Sequence, residues 1–258
     1  MDIFNINLAD YESFLFVFSR VAAIIMFAPI LGSAQIPSRL KIGLALVFSI
    51  LIFSMVRTLP LPQPKGLFDF GIFMATDAMI GLAIAFAMRL VFSAVQLAGT
   101  LVDFQMGFGV VNVIDPQTQA QVSITAQFQN ILAVLIFLAA DGHHMIIGAV
   151  VESFRLINPA QVDFANITPE FILKMFSSMF IVAVKIAAPI MAILFFLAVG
   201  LGLVARTVPQ MNVFIVGFPL QIGVGLIMIA LSMPFFSIII RNEISQLPAQ
   251  LVGLMGTF

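Results

Sequence analysis

The sequence predicts an all-α integral membrane protein of about six long, partly broken apolar helices, and three observations carry that expectation. Of the 258 residues, 62% are hydrophobic and only 9% are charged, whereas a soluble domain is usually about a quarter charged. The apolar residues gather in six segments, roughly 14–32, 40–56, 70–102, 128–151, 171–205 and 213–240, of about the length that crosses a bilayer as a helix or longer. Prolines and glycines interrupt several of them, and backbone groups freed in hydrocarbon have to be satisfied by neighbouring protein.

The amino terminus carries Asp2, Asp10 and Glu12 rather than the basic region of a cleavable signal peptide, so the first apolar segment is expected to be retained. That segment ends in Ala28-Pro29-Ile30-Leu31-Gly32, where proline and glycine stop a helix. Residues 57–66 hold Pro60, Pro62 and Pro64 and read as a stiff, extended linker. The third and fifth segments exceed thirty residues, more than the ~20 that span a bilayer. Either they protrude beyond it or they bend inside a larger body, and Pro189, Gly200 and Gly202 give the fifth segment places to bend.

Lys and Arg fall on both sets of alternating loops, Arg39 and Lys41 against Arg57, Lys65, Arg155 and Lys174, so the positive-inside rule sets no orientation. Tryptophan is absent and Tyr11 is the only tyrosine, against 28 phenylalanines. Spanning helices usually carry Trp and Tyr at the headgroup level. Either much of this surface meets protein, or the bias is a compositional habit of the source.

Composition also excludes several function classes. The formal net charge is −1 and no block of basic residues occurs, so nucleic acid is not an expected partner. The chain has no cysteine, which removes disulfides, thiolate chemistry and Cys-ligated metals. It has no GxxxxGK[ST] phosphate loop, no HExxH and no GxSxG, so an ATPase, a zinc protease or a serine hydrolase is not indicated. A non-enzymatic protein without a cofactor is expected.

Charges do lie inside the apolar segments: Arg20, Asp77, Arg89, Asp141 and Lys185. Such groups are costly and face a protein interior or an aqueous cavity. They are candidates either for function or for pairing across packed helices. A secondary transporter would use Asp77, Arg89 and Lys185, with broken helices, to build a midplane ion or solute site, although no inverted repeat is visible. His143 and His144 follow Asp141-Gly142 in the fourth segment. Adjacent helical residues point about 100° apart and do not chelate together. With no third ligand evident, a helix break or a packed polar contact is expected there, and no metal.

Two stretches are unlike ordinary spans or loops. Residues 103–127 read DFQMGFGVVNVIDPQTQAQVSITAQ, without Lys or Arg. The first half is apolar and glycine-punctuated: Met106, Gly107, Phe108, Gly109, Val110, Val111, Val113 and Ile114. Asp115-Pro116 makes a turn, and Gln117, Gln119 and Gln121 give a neutral polar face. Such a loop is an aggregation liability unless buried. Apolar constrictions block ions by dewetting, and methionine-rich surfaces re-pack around different guests. A pore gate is therefore one reading and a re-entrant packing loop the other. The second stretch, Val208 to Gln221, reads VPQMNVFIVGFPLQ. It is a polar turn on Pro209, Gln210 and Asn212 that enters an apolar segment broken at once by Gly217 and Pro219.

Gln105-Met106-Gly107-Phe108-Gly109 leading to Asp115-Pro116-Gln117, and Pro209-Gln210-Met211-Asn212-Val213-Phe214 leading to Gly217-Phe218-Pro219, resemble the flagellar biosynthetic protein FliR family, the R subunit of the type III secretion export gate. Length, the six segments and the order of the motifs agree, so the resemblance covers nearly the whole chain. Injectisome relatives share the proline-glutamine-asparagine turn, while Gly-Phe-Pro is closer to the flagellar branch. The resemblance implies a multi-pass subunit of the bacterial inner membrane in the flagellar basal body, its helices arranged as hairpins.

One copy would join several P and Q subunits in a helical export gate, beside the B and A export-apparatus proteins and the lipid bilayer, and unfolded flagellar proteins would pass through. It also implies a P-like region over 1–170, including the loop 103–127, and a Q-like hairpin with tail over 171–258. The plug would be Met106, Gly107, Phe108, Gly109, Val110, Val113 and Ile114. Pro209, Gln210, Asn212, Gly217, Phe218 and Pro219 would make a turn and contact motif, and Arg20, Asp77, Arg89 and Lys185 would pair between helices or with partners.

Overall fold

A computed structural model describes residues 8–57, 59, 62–108, 123–162, 169–208, 210, 212–256 and 258. In chain order its helices are α1 (Leu8–Phe27), α2 (Ser38–Val56), α3 (Leu67–Met106), α4 (Ile124–Ala139), α5 (Gly142–Leu156), α6 (Pro169–Thr207) and α7 (Val213–Met255). No strand occurs among the described residues. Four helices, α2, α3, α6 and α7, are long and apolar enough to cross a membrane, and α4 with α5 makes a broken fifth candidate. The fold is the all-helical membrane fold that the composition predicts.

Prolines end one helix and lie inside others. Helix α1 does end before Pro29, and the turn after it is tight: Ile30 has φ 73°, and a Cβ on Gly32 would sit 2.5 Å from the carbonyl oxygen of Met26. By contrast α6 runs through Pro189 as one helix of 39 residues, and α7 is continuous from Val213 to Met255. The predicted interruption at Gly217 and Pro219 is therefore corrected. Proline keeps a helical φ and leaves unpaired only the carbonyl one turn before it. At about 1.5 Å per residue, these helices outrun a hydrocarbon core of about 30 Å. The fourth apolar segment is divided into α4 and α5 because Asp141 turns left-handed, with φ 55°, which is the helix break expected there.

The chain forms two compact units that are each discontinuous in sequence, one of residues 1–90, 141–175 and 245–258, the other of 91–140 and 176–244. In the first, α1 packs on α2, and α2 touches α5. Phe16, Val17, Val21 and Ile24 of α1 are buried, as are Ile80 and Ile84 of α3, and Phe16 lies 5.2 Å from the ring of Phe70. Among these apolar groups sits Arg20, with no exposed surface. Its Nε donates to Asp77 Oδ1 at 2.7 Å, and its Nη1 donates to the Ser153 carbonyl at 2.7 Å. The guanidinium also lies 4.1 Å from the centre of the Phe154 ring. One side chain thus joins α1, α3 and α5. Gly81, one turn beyond Asp77, allows the approach: a Cβ there would lie 2.5 Å from the Arg20 carbonyl oxygen.

In the second unit, Phe92, Val95, Ala98 and Val102 of α3 and Ala133 and Phe137 of α4 are buried, with the Phe92 and Phe137 rings 5.7 Å apart. On α6, Val182, Ala183, Ile186, Ala187, Ile190 and Leu194 form a buried row at the spacing of one helical face. Phe195 and Phe196 lie on its exposed side.

Removing one partner of a buried ion pair strands the other charge and costs about 3–5 kcal/mol. Asp77→Ala is expected to destabilise the protein by about that much, and Arg20→Met with Asp77→Leu to recover most of the loss. Thermal unfolding of the detergent-purified protein measures both, and a single variant as stable as the parent would contradict the role given to the pair.

Candidate functional site

Of the predicted plug residues, Met106, Gly107 and Phe108 are described at the end of α3, while Gly109, Val110, Val113 and Ile114 lie outside the described residues. Chain on either side of 109–122 is held by one carboxylate. Asp103, 5% exposed, accepts on Oδ2 from the hydroxyl of Ser123 and from the backbone N–H of Thr125 at 3.3 Å. Its carbonyl accepts from the N–H of Phe108 at 3.1 Å. Ser123 uses both halves of its hydroxyl, since its oxygen also accepts from Ala126 N–H at 3.0 Å and caps α4. Close contact of the two helices lets the clasp form, because Gly99 backs directly onto the Ala126 main chain.

The same root is interlocked with α7. Gly107 has φ 89°, and a Cβ there would lie 2.7 Å from Cδ1 and 2.9 Å from Cε1 of Phe218. A residue with a side chain would thus meet both backbone strain and a ring. Met106, fully buried, fills the notch left by Gly225, where a Cβ would come within 2.6 Å of the methionine Cγ. Phe218 and Gly225 are seven residues apart, about two turns, and so share a face of α7. The arrangement is reciprocal: a ring of α7 covers a glycine of the loop root, and a methionine of the root enters a glycine of α7. The two motifs read separately in the sequence are one contact. Asp103, Ser123 and Gly225 went unassigned in the sequence.

Further along the second motif, Asn212 Oδ1 accepts from Ile215 N–H at 3.4 Å near the start of α7. Gln210 and Asn212 are exposed and Gly217 is buried, while Pro209 lies outside the described residues. Pro219 is exposed on α7. Two of the intramembrane charges used in the transporter reading are engaged within the protein. Asp77 is engaged by Arg20, and Lys185 of α6 is the coulombic partner of Glu243 of α7. Arg89 is exposed and lines an apolar cleft with Phe27, Leu82, Ala83 and Phe86.

At the start of α5 the expected helix break falls at Asp141 and brings its carboxylate beside the histidines. One donor atom from each of Asp141, His143 and His144 lies within 4.8 Å of the others. Helical spacing alone misses this, because Asp141 is not helical.

The outer faces remain strongly apolar. Val47, Ile50, Leu51 and Met55 of α2, and Leu226, Ile227 and Leu231 of α7, are each at least 55% exposed. Surfaces of this kind have to be covered by lipid or by other protein.

The sequence matches the family described as bacterial export proteins, family 1, over residues 11–247. It is 38% identical over 254 residues to the flagellar biosynthetic protein FliR of Bacillus subtilis (strain 168), spanning 95% of this chain and 96% of that protein. It is 30% identical over 229 residues to the protein of the same name from Escherichia coli (strain K12), covering 88% of this chain and 87% of that one. For the corresponding protein of Aquifex aeolicus (strain VF5) the identity is 31% over 229 residues, covering 89% and 88%.

A left-handed backbone costs a non-glycine residue roughly 1–2 kcal/mol. Gly107→Ala should therefore destabilise the purified protein by more than that, because the ring of Phe218 adds a clash. Combining it with Phe218→Ala should return the steric part only. Thermal midpoints of the parent, the two single variants and the double variant test the interlock, which a Gly107→Ala protein of parental stability would contradict.

Proposed function

The chain belongs to the bacterial export proteins, family 1, and from that membership we propose that it is a non-enzymatic structural and gating subunit of the flagellar type III protein export channel. The observation that carries the reading is the interlock of Met106 and Gly107 with Gly225 and Phe218. It ties an apolar, glycine-punctuated loop to a long helix at the loop's root. A seal needs that combination: a fixed anchor, a flexible joint, and an apolar tip that excludes hydrated ions by dewetting. In this reading Met106 is the anchor, Gly107 and Gly109 are the joint, and Phe108, Val110, Val113 and Ile114 close the pore. Asp103 keeps the two ends of the loop together, so that the tip can be displaced without unravelling α3 or α4.

The exposed apolar faces of α2, α6 and α7 supply contact area for an assembly in the bacterial inner membrane at the flagellar basal body. We read the partners as several P and Q gate subunits around one copy of this chain, with the B and A export-apparatus proteins nearby. Residues 1–170 are taken as the P-like part and 171–258 as the Q-like hairpin. The turn at Pro209, Gln210 and Asn212 is a contact on the cytoplasmic side, and Arg89 and Lys185 meet partners. Unfolded flagellar proteins are the cargo. Energy comes from other proteins, in keeping with the missing phosphate loop.

Deleting 109–114 spares the anchor and the clasp. Membranes carrying the assembled gate should then leak small ions at rest, while the mass of the assembly stays unchanged. Phe218→Ala should raise the leak by a smaller factor. A leak rate unaltered by the deletion would overturn the plug.

A further inference from the structure

Asp141, His143 and His144 lie apart from the loop and its interlock, and they include the only two histidines in the chain. Asp141 Oδ1 is 3.5 Å from His144 Nδ1, and the two imidazole centroids are 4.2 Å apart with their planes at 37°. Two features of the backbone produce this convergence. Asp141 has φ 55°, which folds its side chain back toward the first turn of α5. It also occupies the N-cap position without making a side-chain capping bond, where an aspartate ordinarily accepts from the second or third N–H. Its carboxylate is thus given to an imidazole in place of the backbone. All three side chains are exposed, so no packed core holds them there.

We propose that Asp141, His143 and His144 form a three-ligand site for a borderline divalent transition cation of the class Zn²⁺, Co²⁺ or Ni²⁺. Two imidazoles and a carboxylate suit that class better than Mg²⁺ or Ca²⁺, which take oxygen ligands. Ligands bound tetrahedrally at about 2.0–2.2 Å lie roughly 3.3 Å from one another. The donors therefore have to close by about 1.5 Å at most, which staggered rotations of exposed side chains allow. Three protein ligands leave a fourth position for water or for a side chain of a neighbouring subunit. The positive end of the α5 dipole opposes a cation here, and the negative charge of Asp141 offsets it, so the affinity is moderate. The site is independent of the loop and of its role in export.

The test uses the full chain, purified in detergent with the subunits that accompany it, on a tag without histidine. Titration with Co²⁺ should give one ion per chain and the visible absorption of a nitrogen-ligated, low-coordinate cobalt centre. The absence of cysteine leaves these imidazoles as the only nitrogen or sulfur side chains in the protein suited to that spectrum. Asp141→Asn keeps a residue that tolerates the left-handed backbone and should weaken uptake by about tenfold or more. His143→Gln combined with His144→Gln should abolish the band while the mass of the assembly is unchanged. No band at saturating Co²⁺, or a band that persists in the double variant, overturns the site.

Discussion

The contact of Gly107 with Phe218 is the constraint around which the candidate site is arranged. With φ 89° and the ring within 2.7 Å of where a Cβ would sit, position 107 accepts only a residue without a side chain. That residue is also the one at which the chain can most easily turn. Met106 is locked into the Gly225 notch, and α3 ends at that residue. Asp103 then closes the far side by binding Ser123 and Thr125, so the start of α4 is held by the residue whose carbonyl also receives Phe108 N–H.

Burial of charge follows the same economy elsewhere. An arginine with no exposed surface survives among phenylalanines and isoleucines only because Asp77, the Ser153 carbonyl and the Phe154 ring satisfy it. Asp77 is thereby committed to structure, which removes the residue that a solute transporter would most need. What is left exposed is mainly apolar, with a few cations, Arg89 and Lys185 among them, on the faces of long helices. A chain with such a surface has to be covered by lipid or by other protein. Helices about twice as long as a bilayer is thick fit a body that extends beyond the hydrocarbon.

Much of this was legible in the sequence. Composition and segment length gave the helical membrane fold, Pro29 and Gly32 gave the end of α1, and Asp141-Gly142 gave the break between α4 and α5. Two motifs, at 105–109 and 217–219, hold residues that the structure brings into contact. Their contact was not legible, because residues more than a hundred positions apart carry no local signal of being neighbours. Gly225 looked like one more glycine in an apolar run, and Asp103 looked like the polar start of a loop. Pro219 misled in the other direction, since a proline costs a helix one hydrogen bond and a long helix absorbs that loss. The approach of Asp141 to the histidines was not legible, because it depends on the left-handed backbone at residue 141.

Because the chain has no cysteine, Val110→Cys would place a single thiol in the proposed seal. Its modification by a membrane-impermeant thiol reagent, compared between resting cells and cells actively exporting flagellar proteins, addresses the gate most directly. Protection at rest and rapid modification during export is the result expected of a loop that fills the closed pore and is displaced by cargo. Equal modification in the two states would mean that the loop neither seals nor moves, and the gate would have to be sought elsewhere in the assembly.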